Sequence, residues 1–293
     1  MAKTIARNPD SQFDMAFIER MDPLFNPLRK LLSPKLIGTE HVPRSGGMLI
    51  AGNHSIYGLE LPLVPLQIWR ETGRHPRGLA DRMHFDLPVW RDFLHSAGAV
   101  VGSRDVCGRL LDNGEAVLVF PGGSREVAKR RNESYKLIWK ERIGFARMAI
   151  EHQVPIVPLA VLGIEDMFSI WADADDIAGS RAAPMLRKLG LLASDDNNPG
   201  DPFRPPLSLG TGPGGCLVPE RLYIALGEPV DTSRYQGAHE DRDACLAVRE
   251  QTRAAIESQL QALRAMRDDD PGRYPAGRMV EHFRGWLQGL AAA

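Results

Sequence analysis

His54 stands in the run Ala51-Gly52-Asn53-His54-Ser55-Ile56-Tyr57-Gly58-Leu59-Glu60, just past an apolar segment, Met48 to Ala51, that reads as a buried strand. An imidazole at a strand end, followed six residues later by a carboxylate, is a candidate general base with a candidate orienter. A second apolar strand, Ala116 to Phe120, runs into Phe120-Pro121-Gly122-Gly123-Ser124-Arg125-Glu126. There Gly122 and Gly123 let backbone amides approach a ligand closely, and Arg125 can hold an anion. A base beside such a loop suits attack of a hydroxyl on a carbonyl: imidazole takes the proton and a donor meets the oxyanion. Plainer roles stay open, with His54 satisfying a local carbonyl, Glu60 an exposed helix-start carboxylate and Arg125 facing Glu126 or core carbonyls. Six residues along a regular helix turn a side chain by about 240°. His54 and Glu60 therefore meet only if Tyr57-Gly58 lies in a turn.

Two further blocks flank the Phe120 to Glu126 motif: Gly98-Ala99-Val100-Val101-Gly102-Ser103-Arg104 before it and Val154-Pro155-Ile156-Val157-Pro158 after it. Together the four resemble the glycerolipid acyltransferase superfamily, whose members pair an N-H-x-x-x-x-D box with a later F-P-E-G-T-R box. Within it, the chain is most similar to the branch of phytyl ester synthases and diacylglycerol acyltransferases. That branch reads F-P-G-G-x-R-E in the third box and continues as Glu133-Ser134-Tyr135-Lys136-Leu137-Ile138-Trp139-Lys140-Glu141-Arg142-Ile143-Gly144-Phe145-Ala146 does here. The resemblance covers about residues 45 to 165. It implies His54 as base, Glu60 as its orienter, and Arg104, Gly122, Gly123, Ser124 and Arg125 as substrate contacts.

It also implies a fatty acyl donor, acyl-coenzyme A or acyl-carrier protein, with no permanently bound cofactor, and a lipid acceptor at a membrane surface. Relatives acting on glycerol phosphates usually carry glutamate where this chain has Gly122, so the departure points to a neutral alcohol. A lysophosphatidic acid-type acceptor, an esterase in which water replaces the alcohol, and an inactive lipid-binding module remain the alternatives. No G-x-S-x-G elbow is present to argue for a covalent serine. The basic run Lys129-Arg130-Arg131, with Lys136, Lys140 and Arg142, is either a contact for coenzyme A phosphates or anionic head groups, or solvated surface. Arg104 has a structural ion pair as its competing role.

The elements that must hold these residues alternate. Strands at Met48 to Ala51, Ala97 to Val101, Ala116 to Phe120 and Ile156 to Val161 are separated by helical stretches near 62 to 72, 105 to 113 and 141 to 152. This predicts an α/β fold with a mainly parallel central sheet flanked by helices, ligands binding outside the carboxyl ends of the strands. Arg221 to Gly227 reads as a further strand, residues 239 to 266 as a long helix, and a short helix closes the chain. Residues 165 to 217 read as an insertion or lid with one helix near Ala183 to Leu189. Within it Gly210-Thr211-Gly212-Pro213-Gly214-Gly215 fits G-x-G-x-x-G with proline at its centre, and a loop is the better reading. Residues 1 to 35 form an amphipathic helical pair meeting at Asp22-Pro23, with Phe13, Phe17, Met21, Phe25, Leu28 and Leu32 on one face. That face either packs on the core or dips into a lipid interface. Residues 36 to 293 form the acyltransferase domain.

At 293 residues and 43% apolar, the chain can bury a sizeable core. A net charge of −1 argues against a nucleic-acid binder, which needs a basic footprint. Cys107, Cys216 and Cys245 form no C-x-x-C pair, and no cluster has metal-ligand spacing, so a reducing cytoplasm fits and no metal is implied. No window reaches the length of a spanning helix. The protein is therefore expected to be cytoplasmic and peripheral on a membrane.

Overall fold

Of the apolar runs before the two motifs, Met48 to Gly52 is buried along its whole length and Ala116 to Leu118 likewise, with Val119 half-buried where the strand reaches the site, as strands covered on both faces are. In the computed structural model, which describes residues 13–181, 183–188 and 205–291, they are neighbours in one sheet. The chain enters through α1 (Met15–Met21) and α2 (Asn26–Leu32), then β1 (Lys35–Ile37) and β2 (Met48–Gly52). It continues through α3 (Val64–Thr72), β3 (Arg77–Ala80), α4 (Pro88–Ser96), β4 (Val100–Val101), α5 (Arg104–Asp112), β5 (Ala116–Val119), α6 (Gly123–Val127), α7 (Gly144–Glu151) and β6 (Ile156–Leu162). Next come β7 (Phe168–Ala172), α8 (Ala174–Gly179), α9 (Ala183–Lys188), β8 (Leu207–Gly210), β9 (Tyr223–Leu226), α10 (Arg242–Asp268) and α11 (Pro275–Ala291).

The seven-stranded sheet has the order β1-β9-β6-β2-β5-β3-β4. β2 lies between β5 and β6, parallel to both, with Leu49 opposite Val117 and Ile156. β9 is antiparallel to β6, Tyr223 opposite Leu162, and β1 runs parallel to β9. The beginnings of β1 and β9 therefore lie at the edge where β2, β5 and β6 end. That edge carries His54.

One face of the sheet is covered by α5, α7 and α10, whose Leu110, Ile150 and Ile256 join Leu49 and Val117 in one core. On the other face α3 and the N-terminal helices cover Ile50, Val157 and Ile224. The periodic face of residues 13 to 32 turns inward. Phe13 lies 5.3 Å from the His75 ring, Phe17 meets Phe93 edge-on, and Phe25, Leu28 and Leu32 pack on the second core. Asp22-Pro23 reads in sequence as a helix N-cap followed by a first-turn proline, but Asp22 does not cap α2; it is buried in a 3-10 turn and accepts from Arg29 and Arg70.

Several short elements were not foreseen: β1, β3, α4 and α6 in the main body, and β7, α8 and β8 in the insertion. β3 opens on Arg77, a buried guanidinium held by Gly98 O at 2.9 Å and Glu115 at 2.6 Å, so its start has no apolar signature. The closing helix α11 runs for 17 residues rather than a few. Within the insertion, β7 and β8 form an antiparallel ribbon, so a strand does precede the G-x-G-x-x-G run; only a 3-10 turn at Pro213–Gly215 follows it, and no phosphate-binding helix opens. The acidic stretch Asp195 to Gly200 lies outside the described residues. Among the described residues no helix is long and apolar enough to cross a membrane.

Candidate active site

β2 ends on Gly52, and the next side chain locks it to its neighbour: Asn53 is buried, accepts from Val161 N–H at 2.8 Å and donates to Val161 O at 2.9 Å. The chain then reverses, because Tyr57 (φ 60°) and Gly58 (φ 68°) take consecutive left-handed conformations inside a 3-10 turn. This is the turn that the six-residue spacing required. It returns Glu60 beneath His54, where Glu60 Oε1 meets His54 Nδ1 and Glu60 Oε2 accepts from the Ser55 hydroxyl. Burial pushes the Glu60 carboxyl up, but the imidazole and the Ser55 hydroxyl together outweigh it and hold the carboxyl below its ordinary value. The His54 ring stacks on Phe120 at 4.2 Å, 20° from parallel. Its Nε2, across the ring from Glu60, has no partner among the described residues.

Phe120 opens the third box, so the stack joins the two motifs across β2 and β5. Gly123 has φ +51°, α6 starts at this residue, and the Gly123 N–H donates to Phe120 O at 3.0 Å, closing the turn at the head of the box. Gly122 is required for a different reason. A Cβ there would lie 2.0 Å from Glu126 Oε2, because the buried Glu126 carboxylate fills that space. Glu126 accepts weakly from His54 N–H at 3.4 Å and Ile138 N–H at 3.3 Å; burial raises its pKa, with Lys129 and His54 opposing. Arg142 donates to the carbonyls of Pro121 (2.9 Å) and Gly122 (2.5 Å) and braces the box from behind.

Arg125, expected at the substrate, directs its guanidinium instead to Glu133 in a two-pronged pair at 2.6 and 2.9 Å and to Ala128 O. Neither Glu126 nor a bound anion is needed to satisfy it. Ser124 is half-buried in α6. Arg104 sits exposed in the first turn of α5, behind its cap Ser103, with no ion-pair partner among the described residues.

The basic run is not a free phosphate patch. Lys129 is buried 3.1 Å from Glu165 Oε1, an ion pair without the angle of a directed hydrogen bond, and Arg130 and Arg131 pair with Asp175 and Asp176. Around the base, Ser55 and Phe120 had no role in the sequence reading, while Glu126, expected as a partner of Arg125, and Arg142, expected at phosphates or head groups, instead hold the box at Gly122 and at the carbonyls of Pro121 and Gly122. Phe120 and Glu126 belong to the quoted box, and Ser55 adjoins His54, so proximity in the chain was their signal. Among the described residues no cluster of His, Cys, Asp and Glu is fit to hold a metal ion.

Residues 33–162 match the protein-family model described as Acyltransferase. Phytyl ester synthase 2, chloroplastic, of Arabidopsis thaliana is 31% identical over 266 residues, which is 84% of this chain and 36% of the plant protein. A Homo sapiens protein named DGAT1/2-independent enzyme synthesizing storage lipids is 33% identical over 131 residues, 45% of this chain and 40% of its own. In fold, the chain resembles the crystal structure of the 1-acyl-sn-glycerophosphate (LPA) acyltransferase PlsC from Thermotoga maritima, with a TM-score of 0.50 at 15% identity over 89% of this chain and 85% of that one. The chain spans 36% of the length of each Arabidopsis phytyl ester synthase that it matches.

Proposed function

Residues 33–162 belong to the acyltransferase family, and from that premise we propose that the protein moves a fatty acyl group from a thioester to a neutral lipid alcohol. The observation that carries this reading is the His54–Glu60 pair, closed by the Tyr57–Gly58 turn beside the third box. His54 Nε2 takes the hydroxyl proton as the alcohol oxygen attacks the thioester carbonyl carbon. Glu60 fixes the tautomer and stabilises the imidazolium, with the acceptor alcohol in the place a serine holds in a triad. The amides of Gly122 and Ser124, on either side of a Gly123 amide already given to Phe120 O, meet the oxyanion. The C–S bond then breaks, the thiolate recovers the proton from the imidazolium, and an ester and a free thiol leave.

A neutral acceptor is supported by Glu126, whose buried carboxyl group fills the space beside Gly122 and leaves no room there for an acceptor phosphate. The names of two relatives, which speak of phytyl esters and storage lipids, point the same way. Arg104, exposed and without an ion-pair partner among the described residues, is the cation we assign to the anionic part of acyl-coenzyme A or acyl-carrier protein; Arg125 serves by holding the third box to Glu133. The protein acts as a peripheral enzyme on the cytoplasmic side of a membrane.

The test is product analysis with the purified protein, labelled acyl-coenzyme A or acyl-carrier protein, and a panel of diacylglycerol, long-chain alcohols and lysophosphatidic acid. Labelled ester on a neutral alcohol is expected. Labelled phosphatidic acid alone, or free fatty acid regardless of acceptor, overturns it.

A further inference from the structure

At the sheet edge where β2, β5 and β6 end, three separate elements expose apolar side chains to solvent. The first is a groove of about 1380 Å³ between α2 and α11, in which Leu31, Met279, Phe283 and Trp286 are all more than two-fifths exposed. The reversed direction of β1 and β9 brings this groove to the His54 edge, since α2 runs straight into Lys35, level with Tyr223 and the end of β6. The second is the outward face of the β7–β8 ribbon. A two-stranded ribbon packed on one side presents polar residues on the other, yet here Trp171, Leu207 and Leu209 point out. Tyr57 ties this ribbon to the His54 turn through its hydroxyl, which donates to Pro206 O at 2.7 Å. The third follows the end of β3, where Leu87 and Val89 are 67% and 86% exposed beside Trp90.

A protein ligand fills one groove; a flat surface touches all three. Exposed aromatics spread along one rim mark such a contact. The charge agrees. Among the described residues the groove is lined by Lys30, Arg278 and His282 and by no acidic residue, Arg278 also donating to Leu31 O; at the far end Arg82 is exposed between Asp81 and Asp86, so the positive charge is concentrated at the groove. This pattern complements anionic head groups.

We propose that the catalytic edge is itself the membrane-docking face, resting on an anionic bilayer through the α2–α11 groove, the β7–β8 ribbon and the segment before α4. The inference deepens the acyltransferase reading, on which it rests for the need to meet lipid, and it moves the anchor from the inward-packed face of residues 13 to 32 to α11 and α4. An acyl chain then passes between bilayer and His54 without crossing water.

The test is co-sedimentation of the full chain with phosphatidylcholine vesicles, with and without phosphatidylglycerol, together with quenching of tryptophan fluorescence by brominated-acyl lipids. Two pairs of variants are compared, Phe283→Ser with Trp286→Ser and Val89→Ser with Trp90→Ser; all four side chains are exposed, so the fold is spared. Wild type should bind, more tightly with phosphatidylglycerol, and each pair should lower partitioning about tenfold or more. Melting temperature and turnover of a short-chain, water-soluble donor and alcohol should stay at wild-type values. Loss of partitioning in both pairs supports the docking face even if no form of the protein transfers acyl groups, an outcome that sinks the acyltransferase reading alone. Wild type that transfers acyl groups without binding vesicles, or variants that bind as wild type does, overturns the docking face. So does a wild-type dimer in sedimentation velocity that the α11 pair converts to monomer with vesicle binding unchanged, since a second copy then covers the groove.

Discussion

Removing the His54 imidazole takes away a base and also strands a buried carboxylate. Glu60 is fully buried, and its ionised form is held by His54 and Ser55. His54→Ala should therefore lower turnover by about 10²–10⁴-fold and, unlike an exposed catalytic residue, cost about 2 kcal/mol of stability. Adding Glu60→Gln to that variant should restore much of the melting temperature and none of the turnover. A double variant no more stable than His54→Ala would mean that Glu60 is not held by the imidazole. At Gly122 the constraint is volume: a Cβ would lie 2.0 Å from Glu126 Oε2 and 2.6 Å from Glu126 Cβ, so the collision is not relieved by a carboxylate swing alone. Gly122→Glu should impair neutral-lipid transfer without conferring transfer to lysophosphatidic acid, and Glu126→Ala should partly rescue it. Full activity in Gly122→Glu would show that the Glu126 carboxylate is not fixed where it lies.

The element that makes the site is the Tyr57–Gly58 turn. The left-handed conformation is costly for Tyr57, which carries an L side chain, and not for Gly58; the turn persists because Tyr57 is anchored to Pro206 and Ser208 while Glu60 is anchored to His54 and Ser55. Gly58 carries φ +68°, and a Cβ there would lie 3.2 Å from His54 Cε1. Gly58→Ala should cost about 1 kcal/mol of stability and displace the ring, lowering kcat by about tenfold or more with little change in donor KM. Unchanged kcat would remove the turn from the positioning of the base. The N-terminal helices belong to the same scale. Their apolar stripe was legible, but its partner was not, since a stripe reads alike whether it meets lipid or protein. Their inward packing predicts that deleting residues 1 to 32 exposes the second core and causes aggregation, measured by light scattering at neutral pH; a soluble, native-melting truncation would contradict it.

Across the whole molecule, the box following β5 is tied to the chain after β6 by a buried polar group. Glu165 accepts from Tyr135 N–H at 2.6 Å and faces Lys129, while burial pushes its carboxyl up to about 7, with Lys129 opposing and Glu126 adding to the rise. A carboxyl whose folded pKa is raised binds its proton more tightly in the folded state, so its contribution favours folding at low pH and declines as pH rises from its ordinary 4.5 to about 7. Above that the contribution is constant. Glu165→Gln should accordingly gain stability relative to wild type as pH rises through this window, in denaturant titrations at several pH values. A constant difference from pH 5 to pH 8 would show that Glu165 titrates normally.

The sequence by itself determined what is local: where β2, β5 and β6 run, that His54 and the third box stand just past strand ends, and that Tyr57-Gly58 had to turn if Glu60 was to reach the base. Apolar runs and positive-φ turns depend on neighbouring residues, so they can be read in a line of letters. Only the tertiary structure decided which charge meets which. Arg125 had Glu126 nearby in sequence and took Glu133, Lys129 went inward to Glu165 across 36 residues, and Glu126 came to rest against Gly122. The reversal of β1 and β9, which brings α2 and α11 beside the site, was equally hidden. Strand direction and ion-pair choice are settled by competition among distant groups for the same buried space, and no spacing along the chain records that competition.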